Sequence, residues 1–127
     1  MRITGGTLKG KPLITPSKKE ISIRPLRSRI RKALFDVIGN NLSGFWVLDL
    51  FAGTGALGIE ALSRGALFVV FVDYSPLSLH IIRKNLEKLG LNEKAKILKL
   101  KLPEELNKIP ALIKSNYEKF DLIFITP

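Results

Sequence analysis

The 127 residues carry 21 Lys+Arg against 11 Asp+Glu, a net charge of +10, with 46% apolar residues and no cysteine. That is enough chain for one core rather than two, and enough apolar content to exclude wholesale disorder. Without cysteine there is no disulfide framework, thiolate metal site or cysteine nucleophile, and a lone histidine, His80, leaves no histidine-built metal centre or Ser-His-Asp triad to expect.

The charge is unevenly placed. Residues 1–32 hold ten bases and one acid, whereas the remaining 95 hold eleven bases and ten acids. A basic arm on a near-neutral body suits a polyphosphate partner, because each phosphate neutralised releases condensed counterions. Residues 1–23 are punctuated by Gly5, Gly6, Gly10, Pro12 and Pro16, which predicts an extended arm with a hairpin. No apolar run approaches the roughly 18 residues of a membrane span, and the N-terminus lacks the apolar core of a signal peptide, so the chain reads as a soluble cytoplasmic protein.

A helix is predicted from Arg27 to Ile38, with Ile30, Ala33, Leu34, Val37 and Ile38 as its apolar stripe, Arg29 and Lys32 opposite, and Arg27 and Arg31 flanking. Apolar runs and helical patterns then alternate: strand Phe45–Leu50, helix Leu57–Ser63, strand Leu67–Val72, helix Pro76–Leu89, strand Ala95–Leu100, broken helix Glu104–Tyr117, strand Phe120–Ile125. Ser75 is placed as an N-cap, and Gly65 and Gly90 as helix stops. Short apolar strands separated by helices predict a doubly wound, mostly parallel α/β sheet. The pattern halts after the fourth strand, where open sheets usually continue. The expectation is an N-terminal fragment, with an edge strand able to pair with a second copy.

Between the first strand and the next helix stands Asp49-Leu50-Phe51-Ala52-Gly53-Thr54-Gly55-Ala56-Leu57-Gly58, a G-x-G-x-x-G, with Asp73 ending the next strand 20 residues beyond Gly53. Such a loop can cradle a dinucleotide pyrophosphate, with Asp73 on the ribose. It can equally hold the amino-acid end of S-adenosylmethionine, with Asp73 again on the ribose. Asp49 favours the second, since a carboxylate would repel pyrophosphate and attract a ligand bearing an ammonium and a sulfonium. A carboxylate in an apolar strand also demands a partner. His80, inside a helical pattern, reads as structural or solvated.

The opening Arg2-Ile3-Thr4-Gly5-Gly6, the segment Arg24-Pro25-Leu26-Arg27-Ser28-Arg29-Ile30-Arg31-Lys32-Ala33-Leu34-Phe35 and the glycine loop through Gly65-Ala66 together resemble the bacterial 16S ribosomal RNA guanine-N2 methyltransferases. The resemblance implies a Rossmann-like methyltransferase sheet and methyl transfer from S-adenosylmethionine to the exocyclic amine of a guanine, on 16S ribosomal RNA or the small ribosomal subunit, with no metal and no membrane. It implies that Asp49, Phe51, Gly53, Thr54 and Gly55 line the methionine half of the cofactor site, that Asp73 and Tyr74 hold the ribose end, and that Arg24, Arg27, Arg29 and Arg31 grip RNA phosphates. Residues 1–38 would then be the RNA-binding arm with its first helix, and residues 39–127 the cofactor-binding part. The fourth strand of these enzymes runs into Asp-Pro-Pro-Tyr; here Thr126 stands at the Asp position and Pro127 at the first proline, the two positions implied to be catalytic. Lys101 stands where the family places an Asp or Asn near the adenine. A non-catalytic RNA-binding module, or a dinucleotide-dependent oxidoreductase, are the other readings the residues allow.

Overall fold

The computed structural model describes residues 1–16, 28–113 and 119–126. Its elements are α1 (Ser28–Ile38), β1 (Trp46–Leu50), α2 (Ala56–Ser63), β2 (Phe68–Asp73), α3 (Pro76–Leu89), β3 (Ala95–Lys99), α4 (Ile109–Leu112) and β4 (Leu122–Ile125), with 3-10 turns at Asn92–Lys94 and Leu106–Lys108. The four strands form one parallel sheet in the order β3-β2-β1-β4. Register pairs Val47 of β1 with both Val69 and Leu122, so β1 lies between β2 and β4.

The strands alternate between two apolar layers, as pleating requires. Val47, Val69, Phe71 and Phe124 face a core shared with α2, α3 and the ring of Phe35 from α1, whereas Leu48, Leu50, Val70, Val72 and Leu98 face a second core closed by Ile109 and Ile113. The chain thus winds β1-α2-β2-α3-β3 on one face and returns through α4 on the other to β4. That reversal, beside β1, is where open α/β sheets form their crevice at the strands' carboxyl edge. Face coverage is unequal: Ile123 and Ile125 of β4 remain 50% and 64% exposed.

Local signals in the sequence account for the boundaries. The hydroxyl of Ser75 accepts the Ser78 amide, Pro76 occupies the first turn of α3, and Gly90 closes that helix in a left-handed conformation at φ 69°. Strands β1 and β4 start later than their apolar runs, at Trp46 and Leu122, and β2 extends through Asp73. The expected broken helix reduces to the 3-10 turn and the single turn of α4; residues 114–118 lie outside the described ones.

The N-terminal arm forms a hairpin. Arg2 bridges Pro12 in antiparallel fashion, Ile3 N–H donates to the Lys11 carbonyl at 2.9 Å, and Leu13 N–H donates to the Met1 carbonyl at 2.8 Å. The hairpin belongs to the body: Ile3 and Leu13 join the same core as Phe35 and the sheet.

Helix α1 turns a different face inward from the one its apolar spacing predicts. Its buried residues are Arg31 and Phe35, while Ile30 is 47% and Val37 is 87% exposed. That is a rotation of about 100°, one residue's worth at 3.6 residues per turn. The cause lies underneath. Glu60 on α2 is fully buried and ion-paired with Arg31 at 3.7 Å, and the Arg31 guanidinium also donates to the Arg2 carbonyl and the Ser28 hydroxyl, both at 2.8 Å. Arg31 is therefore corrected from an RNA-facing cation to a buried partner of Glu60; with 0% exposure it has no phosphate to meet.

Candidate functional site

Strand β1 ends by delivering Asp49, which is 1% exposed, to the base of the glycine turn. Helix α2 begins at Gly55 with no side-chain cap, and Asp49 supplies one from the strand, its Oδ2 accepting the Gly58 amide at 3.2 Å. Its other oxygen, Oδ1, is buried without a hydrogen-bond partner among the described residues. Burial, with a smaller contribution from the charge of Asp73 and against the pull of the Gly58 amide, pushes the carboxyl up to about 8 from its ordinary 3.8. Capping explains one oxygen of Asp49; the second calls for a cationic donor.

The turn between them is held open by conformations that favour glycine. Gly53 and Gly55 sit at φ 61° and 80°, and Phe51 at φ 57° is the one non-glycine with positive φ among the described residues. Gly58, the third glycine of the motif, serves packing: a Cβ there would lie 2.3 Å from the Phe71 ring, so α2 could not approach the sheet so closely with any other residue.

Asp73 ends β2 and faces the same turn. Its Oδ2 accepts the Gly53 amide at 2.9 Å, and Oδ1 accepts the amides of Tyr74 and Ser75 at 2.8 and 3.0 Å. Three backbone donors leave about one further lone-pair site on this carboxylate. Tyr74 is 55% exposed, with Lys99 Nζ 5.4 Å from its ring centroid. Phe51 packs its ring against the second core, and its carbonyl receives the Thr126 hydroxyl at 3.5 Å. Asp49, Phe51, Gly53, Thr54, Gly55, Asp73, Tyr74 and Thr126 thus share the carboxyl edge of the sheet at its switch point. Arg29 is exposed on α1; Arg24, Arg27 and Pro127 lie outside the described residues.

Asn85, Glu60 and Arg64 tie the arm to the body of the fold and are not readable from local pattern. Asn85, 1% exposed on α3, donates to the carbonyls of Ile14 and Thr54 at 3.1 and 3.4 Å and accepts the Ile14 amide at 2.7 Å, strapping the arm to the glycine turn. Glu60 and Arg64, four residues apart on α2 and its C-terminus, look like an exposed helical pair. Both are buried, because the hairpin and α1 cover that side: Glu60 accepts the Thr4 amide at 2.6 Å and Arg64 Nε at 3.3 Å, and the Arg64 guanidinium stacks 4.6 Å from the Phe35 ring centroid.

The sheet order, the reversal beside β1 and the glycine turn flanked by two carboxylates define a Rossmann-like methyltransferase fold. The structure titled "Putative methyltransferase yhhF from Escherichia coli" superposes over 100% of this chain and 63% of its own, with TM-score 0.76 and 27% identity. The family model described as Conserved hypothetical protein 95 matches residues 1–127, and the chain belongs to that family. Its relatives include "Putative rRNA methyltransferase YlbH" of Bacillus subtilis (strain 168), 38% identical over 97 residues, covering 76% of this chain and 52% of that protein. Another is "Ribosomal RNA small subunit methyltransferase D" of Buchnera aphidicola subsp. Acyrthosiphon pisum, 32% identical over 126 residues, covering 98% of this chain and 61% of that protein. The chain therefore spans about half to three-fifths of the length of these relatives. Among the described residues, no helix is long and apolar enough to cross a membrane.

Proposed function

We propose that this chain serves S-adenosylmethionine-dependent methylation of the exocyclic N2 amine of a guanine in 16S ribosomal RNA, as free RNA or within the small ribosomal subunit, in the cytoplasm. The observation that carries the cofactor assignment is the unpartnered Asp49 Oδ1, a buried acceptor beside a glycine turn. It fits the ammonium of the cofactor's amino-acid end and would repel the pyrophosphate of a dinucleotide. The names of the relatives support ribosomal RNA as the substrate class, and the charge of residues 1–32 supports a polyanionic partner.

Bound there, the cofactor supplies an electrophilic methyl group on a sulfonium sulfur. Asp49 holds the ammonium, the turn from Phe51 through Gly55 surrounds the methionine half with Thr54 among its walls, and Asp73 uses its remaining lone-pair site for the ribose beside Tyr74. The guanine amine is a poor nucleophile because its lone pair is delocalised into the ring, so positioning does most of the work. Thr126, at the switch point, accepts one N–H of that amine, and Pro127 follows it in the sequence. A hydroxyl brings no charge, so this hold is weaker than a carboxylate's. A stacked base cannot reach such an edge, and the target is therefore flipped or unpaired. Arg24, Arg27 and Arg29 meet phosphates, making residues 1–38 the RNA-binding part and residues 39–127 the cofactor-binding part.

Isothermal titration checks the cofactor assignment. The chain is expected to bind S-adenosylmethionine and not NAD, and Asp73→Asn is expected to weaken binding roughly 10- to 100-fold, the worth of one charge-assisted hydrogen bond. Equal affinity in the variant removes Asp73 from the ribose site; binding of NAD alone overturns the assignment.

A further inference from the structure

A second polar cleft lies at the opposite end of α2 from the glycine turn. It encloses about 350 Å³ between the hairpin and the later turns of α1, and its lining includes Thr4, Lys9, Lys32, Asp36, Asn40 and Arg64. Helix α2 has eight residues. At 1.5 Å each these place the cleft on the order of 12 Å from the glycine turn. It is thus separate from the cofactor crevice.

The cleft is built around a fixed cation. Arg64 is 6% exposed, and its guanidinium donates to Glu60, Asn40 and the Thr4 hydroxyl. Those bonds occupy three of its five N–H donors and leave two. A Cβ at Gly5 would lie 2.6 Å from Arg64 Nη2, so a larger residue there would displace the guanidinium. Gly5 and Gly6 also line the cleft, and among the described residues neither of their amides donates a hydrogen bond.

Among the described residues the charge count at the cleft is unbalanced. Beneath the cleft, two buried guanidiniums, Arg31 and Arg64, share the single carboxylate of Glu60. At its mouth Lys9 and Lys32 face one acid, Asp36, which already pairs with Lys32 at 3.2 Å. Two positive charges are left over, one of them behind a low-dielectric wall where a missing counter-anion costs most.

We propose that this cleft is a second, remote anchoring site that holds a phosphate of the RNA backbone, with Arg64 as its fixed ligand and Lys9 and Lys32 as its mobile ones. The assignment rests on the RNA reading of the preceding section and gives it a geometry. The phosphate held here lies a few nucleotides from the base at the cofactor edge, so the strand is gripped on both sides of α2. Lys32 exchanges Asp36 for the phosphate on binding, which needs only a rotamer change because both side chains are more than half exposed.

The test is the salt dependence of binding to a labelled single-stranded oligoribonucleotide, followed by anisotropy with the whole chain between about 50 and 200 mM salt. Lys9→Ala/Lys32→Ala is expected to lower the slope of log K against log salt by about 1.4, and affinity at 100 mM salt by roughly 10- to 30-fold, for two lost single-strand contacts. Lys94→Ala/Lys96→Ala, which removes the same charge near the far edge of the sheet, is expected to leave the slope unchanged. An unaltered slope in the first pair, with Arg24→Ala/Arg27→Ala still lowering it, overturns the cleft and leaves the RNA reading standing. Equal losses in both lysine pairs make the contact diffuse and overturn the cleft as a site. Failure of the unmutated chain to bind the oligoribonucleotide overturns the RNA reading and the cleft with it.

Discussion

Asp49→Asn is expected to yield a chain more stable than the original at pH 8 and weaker by roughly 10- to 100-fold in binding S-adenosylmethionine. The unfolded chain releases the Asp49 proton near 3.8, whereas the folded chain keeps it up to about 8. Between those values the native state binds more protons than the unfolded one, so stability falls as pH rises from about 4, and the loss is complete above 8. A shift of this size is worth several kcal/mol in order of magnitude. Asparagine keeps the cap on the Gly58 amide and carries no charge, and it forfeits at most the about 1–3 kcal/mol of one unmet polar group. The pH-dependent loss from 4 to 8 should therefore shrink in thermal melts of the variant, at about 4 °C per kcal/mol for a domain of this size. In the unmutated chain, cofactor affinity should climb between pH 6 and 8 as the carboxylate becomes available to an ammonium, approaching tenfold per unit. Identical pH profiles of stability in the two chains would remove the buried charge from the account.

Glu60→Ala carries the largest expected loss of stability. It leaves Arg31 and Arg64 buried without their shared anion and strips the Thr4 amide of its acceptor. Breaking a buried pair by deleting one member costs about 3–5 kcal/mol, against a total of about 5–15 for a typical domain. Urea unfolding should show the midpoint falling sharply. The double change Glu60→Leu/Arg31→Met should recover part of that loss, because it also removes the stranded Arg31 charge. If Glu60→Ala melts like the original, the buried charge of Glu60 is not what joins the hairpin, α1 and α2.

What the chain's pattern reveals and what it hides divide along one physical line. Strands, the caps at Ser75 and Gly90 and the glycine turn were legible because each is set by neighbours within a few residues: apolar runs, a hydroxyl before a proline, glycine at positive φ. Asp49 and Asp73 were legible for the same reason, since a carboxylate at a strand end beside a glycine turn is a local oddity. The face of α1 was not. Its apolar spacing argued for Ile30 and Val37 inward, but the partner that decides the matter, Glu60, lies 29 positions after Arg31 and pulls the arginine in. Asn85 and Arg64 were invisible on the same grounds: each looks like an ordinary polar residue of a helix and is buried by a hairpin 55 or more residues away. Long-range charge pairing leaves no periodic trace.

The uneven cover of the sheet bears on how the protein behaves in solution. Among the described residues, one face carries α1, α2 and α3 and the other only a short turn of helix, and β4, last in the sheet order, presents Ile123 and Ile125. Strands with open hydrogen-bonding edges and apolar side chains attract their own kind. Copies carrying +10 each repel one another, and that repulsion opposes the attraction at a distance. Salt shortens its reach from about 10 Å at 0.1 M to about 3 Å at 1 M. High salt is thus the condition expected to favour self-association of this chain.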